Sequence, residues 1–358
     1  MKKIIKALVP RCLKEKIRKK GWLLTEDKII FGGGQTFKYF LDTAVNDFDV
    51  DKKRLRRLLP DIKKSYCTYG IRPHEYFMFK FEDKTPQERT PYLSDKTKDK
   101  LLIQYYGNNW KARLDLTKDK YGLYQHLKKF YNKEIVLLTG RDDKEEFRNF
   151  CLHNDSFMVK PLKGGGGKGI KIIHLKNHNQ IDLVYDELIA DGPYVIEELI
   201  QQDSRLSEFN SSSLNTLRIP SFRHGDMVKL WYPFLRFGRN GSVIDNATSG
   251  GVFALVDLNS GELISDAYDK SGHVYEQHPD SKKKFKGYKI PEWDQLFEVV
   301  KAAHLSLSEK DVYVAFDVAL STKGWVIIEG NWGDIMCQQI ALKRGLYDEF
   351  VDILNKEI

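Results

Sequence analysis

The stretch FMVKPLKGGGGKGIKII, Phe157 to Ile173, sets four consecutive glycines between two short apolar segments, with a lysine on each side of the run. Both flanks read as strands, so a strand–loop–strand unit is expected. Four glycines in a row cost chain entropy and bring no side chains to pack. Such a loop is useful where bare backbone N–H groups must approach anionic oxygens without interference. Lys160 projects from the first strand, and Lys163 and Lys168 sit on the loop. A flexible surface turn with solvated lysines is the plain alternative, and the entropy cost weighs against it.

Several phosphate-binding loops share this look. Gly164, Gly166 and Gly169 formally match G-x-G-x-x-G. That pattern marks a dinucleotide site only where a helix follows, and IKIIHL reads as strand. Lys168 is followed by Gly169, not by the Ser or Thr of a P-loop. The chain contains no HRD and no DFG, which removes the protein-kinase reading.

Carboxylates downstream sharpen the choice. AFDVALSTKGWVIIEGN places Asp317 on one strand and Glu329 and Asn331 on the next. Glu329 and Asn331 are two apart and share a strand face. A hairpin turning at STKG brings Asp317 across from them. Val326, Ile327 and Ile328 are apolar on both parities, so the strand is expected to be buried. Buried carboxylates need a counter-charge, and three hard oxygen ligands on one face suit Mg²⁺ that also holds phosphate oxygens. The alternative is a charged, solvent-facing edge hairpin.

The remaining chain bounds the architecture. Its 358 residues, 41% hydrophobic, are enough for two or three packed subdomains. The net charge of +8 sits in the first twenty residues, where nine cations face Glu15 alone. A nucleic-acid partner is therefore not expected. The arm alternates cations with apolar residues and can lie on an anionic membrane surface, although Pro10 interrupts it. A solvated first helix is the competing reading. No apolar run is long enough for a signal peptide or a membrane span, so a cytoplasmic location is expected. Cys12, Cys67, Cys151 and Cys337 are widely spaced, which argues for a reducing compartment.

Local signals predict a strand at KIIFGGG (28–34), a charged helix stopped by Pro60, and a mobile loop or linker over 82–100. A strand is expected at LLIQYYG. After that come a helix at 119–131, a strand at EIVLLTG, a helix at KEEFRNFCLHN, the glycine hairpin, a helix over 180–192 and a strand at PYVIEELI. An antiparallel sheet is expected over 214–268, then a Pro-started helix at PEWDQLFEVVKAAHLSL and the final hairpin.

In this order the motifs resemble those of the ATP-grasp superfamily, from about Leu116 to Met336. The resemblance implies an α+β fold in which two subdomains clamp ATP, preceded by a smaller N-terminal α/β region. It divides the chain into 1–100, 101–196 and 197–358. KDKYGLYQHL implies a first ATP lysine, Lys120, and FMVKP a second, Lys160. Lys163, Gly165, Gly166, Gly167, Lys168 and Gly169 would form the phosphate-covering loop. VIEELI looks like the hinge strand, with Glu197, Glu198, Leu199 and Ile200 at the adenine; Asp203 is the nearest acid for the ribose, and Glu208 is another. NTLRI implies Arg218. FLRFGRNGSVIDNATSGG is similar to a segment of the glutathione-synthetase-like ligases and implies Arg236 and Asn246, the three forming the catalytic set. Asp317, Glu329 and Asn331 would hold two Mg²⁺ ions, or Mn²⁺.

SLNTLRI with EGNWG looks most like the sugar-transfer-associated ATP-grasp proteins, linked to bacterial surface polysaccharide. The implied function is an ATP-dependent carboxylate–amine ligase working through an acyl phosphate. Its implied partners are an amino acid or other amine and a carboxylate-bearing sugar or glycan. The rival readings are a phosphotransferase acting on a sugar hydroxyl and a non-enzymatic nucleotide-binding partner of polysaccharide assembly.

Overall fold

The structure, a computed structural model, describes residues 37–140, 142–162, 169–333 and 335–355, apart from the side chains of Lys38 and Thr248. The basic arm, the strand expected at 28–34 and residues Lys163 to Lys168 lie outside the described residues. The chain divides into two compact units, residues up to 102 with 334–351, and 103–333 with 352–358.

The described part of the first unit is helical, where a mixed α/β region is expected. It contains α1 (Phe37–Asp47), α2 (Lys52–Tyr69), α3 (Pro73–Met78), α4 (Pro86–Arg89) and most of α5 (Asp95–Tyr106). Helix α2 starts at an Asp51 cap and ends on left-handed Gly70. It runs through Pro60 instead of stopping there. Pro60 is exposed, so water can satisfy the carbonyl its ring leaves free. The segment 82–100 is not a linker. Pro86 is a helix-start residue here, behind a Thr85–Glu88 capping box. Tyr92 and Leu93 are buried. LLIQYYG is helix, not strand, because Leu102 and Tyr106 lie four apart on one buried face of α5.

The second unit holds two antiparallel sheets. Helices α6 (Trp110–Lys118) and α7 (Lys120–Tyr131) lead into β1 (Ile135–Leu138), α8 (Lys144–His153), β2 (Ser156–Pro161), β3 (Lys171–His174), α9 (Ile181–Asp191) and β4 (Tyr194–Glu198). Strands β2 and β3 are the antiparallel flanks of the glycine run. The first sheet has the order β1-β4-β2-β3. Alternate residues of its strands serve two cores. Val136, Phe157, Val159 and Ile196 pack with Phe147, Phe150, Tyr185 and Leu188 of α8 and α9. Ile135 and Val195 point the other way, into the core of the second sheet, and Glu197 and Lys160 share their parity.

A short α10 (Ser204–Ser207) precedes the second sheet: β5 (Leu217–His224), β6 (Met227–Leu230), β7 (Phe234–Phe237), β8 (Val252–Leu255), β9 (Ala267–Tyr268), β10 (Val274–Tyr275), β11 (Tyr313–Ser321) and β12 (Gly324–Asn331). Its order is β10-β9-β8-β7-β5-β11-β12, with β6 on β5. Helix α11 (Trp293–Leu305) begins two residues after the expected Pro291 and lays Leu296, Val300 and Ala303 on this core. The chain closes with α12 (Met336–Leu342) and α13 (Tyr347–Asn355).

One irregularity sets up the site. From the turn, β11 and β12 pair as Ser321–Gly324, Leu320–Trp325, Ala319–Val326 and Val318–Ile327. The next pair is Asp317–Glu329, so Ile328 is an extra residue in a β-bulge. Side chains alternate strictly along a strand, and one extra residue reverses the parity beyond it. Trp325 and Ile327 face the core. The bulge is what lets Glu329, of the same parity, face the side that Asp317 occupies.

Candidate active site

Arg218, Asp317 and Glu329 form one cross-strand row over β5, β11 and β12. The Arg218 guanidinium donates to both oxygens of Asp317, Nε to Oδ1 at 2.6 Å and Nη2 to Oδ2 at 2.7 Å. Arg236 of β7 adds an ion pair to Asp317 Oδ2 at 3.0 Å. Burial opposes the charge on Asp317, and the two guanidiniums outweigh it, holding the carboxyl well below the usual range. Glu329 is pushed the other way, by burial first and then by the facing Asp317, although part of its surface stays open.

Asn331 completes the row's end. Its Nδ2 donates to Glu329 Oε1 at 3.4 Å, while its Oδ1 is buried without a hydrogen-bond partner. A buried acceptor left unpaired is costly, and an unfilled ligand position explains it. A Cβ on Gly333 would stand 2.8 Å from that same Oδ1 and 2.7 Å from Ala315 Cβ. The space around the oxygen therefore depends on a glycine. Two carboxylates and an amide oxygen are the donor set a hard divalent cation takes, so the residues fit Mg²⁺. Among the described residues there is no group of three or more His, Cys, Asp and Glu side chains suited to a metal.

The lysines gather on the first sheet. Lys160 is salt-bridged to Glu197 Oε2 at 2.8 Å. Lys133 donates to the same oxygen. Burial works against the Glu197 charge, but Lys133 and Lys160 draw its carboxyl down to about 2. Lys120, at the start of α7, donates to Pro161 O at 2.9 Å. Its ammonium is disfavoured mainly by burial, against the attraction of Glu329 and with the repulsion of Lys160. The lysine cluster and the carboxylate row thus sit within each other's field.

The other expected residues are placed as follows. Glu198 is tied to Lys323 at 2.9 Å and accepts from Glu134 N at 3.0 Å. Leu199 and Ile200 follow the end of β4 and are half-buried. Asp203 accepts from Arg205 with both oxygens, at 2.8 and 2.7 Å. Asn246 accepts through its carbonyl from Ser249 N at 2.9 Å and Gly251 N at 3.0 Å. Gly169 has φ +75°, and a Cβ there would stand 2.9 Å from Pro161 Cγ, so only glycine fits. Lys163, Gly165, Gly166, Gly167 and Lys168 lie outside the described residues.

Three residues escape the sequence reading. Thr216 and Asp245 support Arg236: its Nε donates to Thr216 Oγ1 at 3.0 Å and lies 3.5 Å from Asp245 Oδ2. Thr216 N donates to that same Asp245 oxygen at 2.9 Å. Asp245 directly precedes Asn246, the only hint the sequence offers. Lys133, one among many lysines, carries no motif.

One family model matches the chain. The family described as sugar-transfer associated ATP-grasp matches residues 86–355. Among solved structures, D-alanyl-alanine synthetase A from Vibrio cholerae is 12% identical with a TM-score of 0.39, over 67% of this chain and 64% of that one. VanG D-Ala:D-Ser ligase from Enterococcus faecalis is 12% identical with a TM-score of 0.41, over 67% and 60%. The ATP-grasp ligase PsnB, complexed with a phosphomimetic variant of its minimal precursor, Mg and ADP, is 11% identical with a TM-score of 0.40, over 85% and 74%. The chain spans 64% of the length of the first of these, under two thirds. No match is found among curated proteins. With a family match extending over residues 86–355, the chain belongs to the sugar-transfer associated ATP-grasp family.

Proposed function

We propose that the chain is an ATP-dependent carboxylate–amine ligase that joins an amino acid to a sugar acid during surface polysaccharide modification. One observation carries the chemistry: the Asp317–Glu329–Asn331 group with its unpartnered Asn331 Oδ1, beside two guanidiniums and opposite a lysine cluster. A carboxylate is a poor acyl donor because its oxide cannot leave. Phosphorylation by ATP gives an acyl phosphate, and an amine then displaces phosphate. No enzyme nucleophile is needed, only neutralisation of crowded oxygen charge.

Asp317, Glu329 and Asn331 would hold Mg²⁺, two ions in this reading, which when bound supplies positive charge to phosphate oxygens. Lys120 and Lys160 orient the phosphates, and the segment Lys163–Gly169 covers them. The Glu197–Ile200 stretch would meet the adenine. Arg218 and Arg236 hold the transferring phosphoryl group, and Asn246 sits in the loop beside them. The family's description as sugar-transfer associated supports the sugar partner in this reading. No described helix is long and apolar enough to cross a membrane; a cytoplasmic location with peripheral contact through the basic arm is part of the proposal.

The test is phosphate release over a panel of amino acids and uronic-acid sugars, alone and in pairs, with mass spectrometry of the product. Condensation that requires both partners supports the ligase. A stable product heavier by one phosphoryl group, formed without any amine, establishes a phosphotransferase instead. Two amino acids joined without a sugar keep the ligation and overturn the sugar assignment.

A further inference from the structure

Glu197 carries more counter-charge than it needs. Its Oε2 accepts from both Lys133 and Lys160, and the side chains of the three are 3%, 6% and 12% exposed in the order Lys133, Glu197, Lys160. Two ammoniums on one bonded carboxylate leave an excess positive charge almost wholly out of water, which Glu198 and Glu329 offset only through space, without a direct bond. Half-buried Lys120, held by the Pro161 carbonyl, adds another. An uncompensated buried charge is expensive, and a nearby anion relieves it.

We propose that Lys133 is a positioning residue for the nucleotide phosphates, which it serves by holding Glu197 so that Lys160 is free to leave. This rests on the reading of Lys120 and Lys160 as phosphate ligands. Without Lys133, Glu197 and Lys160 form a closed, neutral pair. Moving Lys160 to a phosphate would then strand a buried carboxylate. With Lys133 in place, Glu197 stays paired when Lys160 moves, and the excess charge of the trio draws the anion in. Lys133 reaches this position from the residues just before β1, whose Ile135 pairs with Glu197 across the sheet. Its cation also lies 5.6 Å from the Tyr131 ring, at the end of α7. Burial works against the Lys133 charge, and Glu197 sustains it.

The experiment is calorimetric titration of the full chain with Mg–ADP and, separately, with adenosine. Lys133→Met is expected to weaken Mg–ADP binding by roughly 10- to 100-fold, the scale of one buried charge a few ångström away. Adenosine, which has no phosphate, is expected to keep its affinity. The double variant Lys133→Met/Glu197→Gln distinguishes positioning from structural damage: with the clamping carboxylate neutralised, Lys160 is released and much of the Mg–ADP affinity returns. Equal loss for adenosine and Mg–ADP, or purely additive effects in the double variant, overturns the proposal. So does unchanged Mg–ADP affinity in Lys133→Met, provided that Lys160→Met still weakens it. If Lys160→Met has no effect either, the phosphate-site reading itself falls.

Discussion

Replacing Glu329 by Gln should change stability and ligand response in opposite directions. Glu329 faces Asp317 as a registered cross-strand pair, and such pairs are about 5 Å apart. Two carboxylates at that separation repel by roughly 3 kcal/mol at an effective dielectric constant of about 20. Arg218 and Arg236 are already bonded to Asp317, and the attraction of Arg218 and Lys160 relieves only part of that cost at Glu329. Gln keeps the shape and removes the charge. Without Mg²⁺ and nucleotide, the variant should therefore be as stable as the wild type or more so, by up to about 1 kcal/mol, which for a unit of this size is about 2–4 °C in Tm. With Mg–ADP the order reverses. At a ligand concentration of about 100 times the wild-type Kd, binding stabilises the wild type by about 2.7 kcal/mol. A hundredfold weaker variant gains only about 0.4 kcal/mol at that concentration. Scanning calorimetry with and without Mg–ADP reads both effects. A variant that is less stable alone, or that keeps the full Mg–ADP shift, refutes the idea that Glu329 is a strained acid waiting for a cation.

Three further outcomes are expected. Gly333→Ala should weaken Mg–ADP binding about tenfold in the same titration, because its methyl would press on Asn331 Oδ1 and the Ala315 Cβ; unchanged affinity would show that the pocket has slack. His304 is buried neutral, with Nδ1 2.6 Å from Ser221 Oγ and Nε2 2.6 Å from Asp311 O. Burial lowers it from 6.5 to about 4, so its share of stability is complete above about pH 6.5. As pH falls toward 4, the unfolded chain takes a proton that the fold refuses, and about 3 kcal/mol is lost, at roughly 1.4 kcal/mol per pH unit. Denaturant titrations from pH 8 to 4 should show that slope, and His304→Gln should flatten it. Finally, hydrogen exchange over residues 162–170 should slow when a non-hydrolysable ATP analogue and Mg²⁺ are added; no change would return that segment to an ordinary turn.

The order of elements from α7 onward was legible because each carries a strong local signal: the amphipathic spacing of Leu123 and Leu127, the apolar runs of β1 and β4, the turn residues between β11 and β12. The first unit was misread for a shared reason. Pro60 was treated as a breaker and the polar stretch around Pro86 as a linker, whereas position within a helix and exposure decide what a proline does. LLIQYYG failed on length, since seven apolar-rich residues fit a strand as well as two turns of helix. At the site, period-two reasoning reaches the shared face of Glu329 and Asn331, but their facing Asp317 depends on the bulge at Ile328, which no local pattern signals. The supports were not reachable either. Asp245 reaches Arg236 through Thr216, and Lys133 reaches Lys160 through Glu197, contacts between elements far apart in the chain that no local pattern encodes.

The bulge at Ile328 divides one eight-residue strand into two stretches with different obligations. Between the turn and Ile327, side chains are judged by volume: Trp325 and Ile327 fill space in the core, and another apolar residue of similar size should serve. At Glu329 and Asn331 they are judged by charge and lone pairs, while Gly330 between them is judged by volume again, since a Cβ there would stand 3.0 Å from Val314 Cγ1 and 3.2 Å from Leu123 Cδ2. A saturation scan along β12 would therefore find volume alone deciding tolerance before the bulge, and polar and packing demands alternating beyond it.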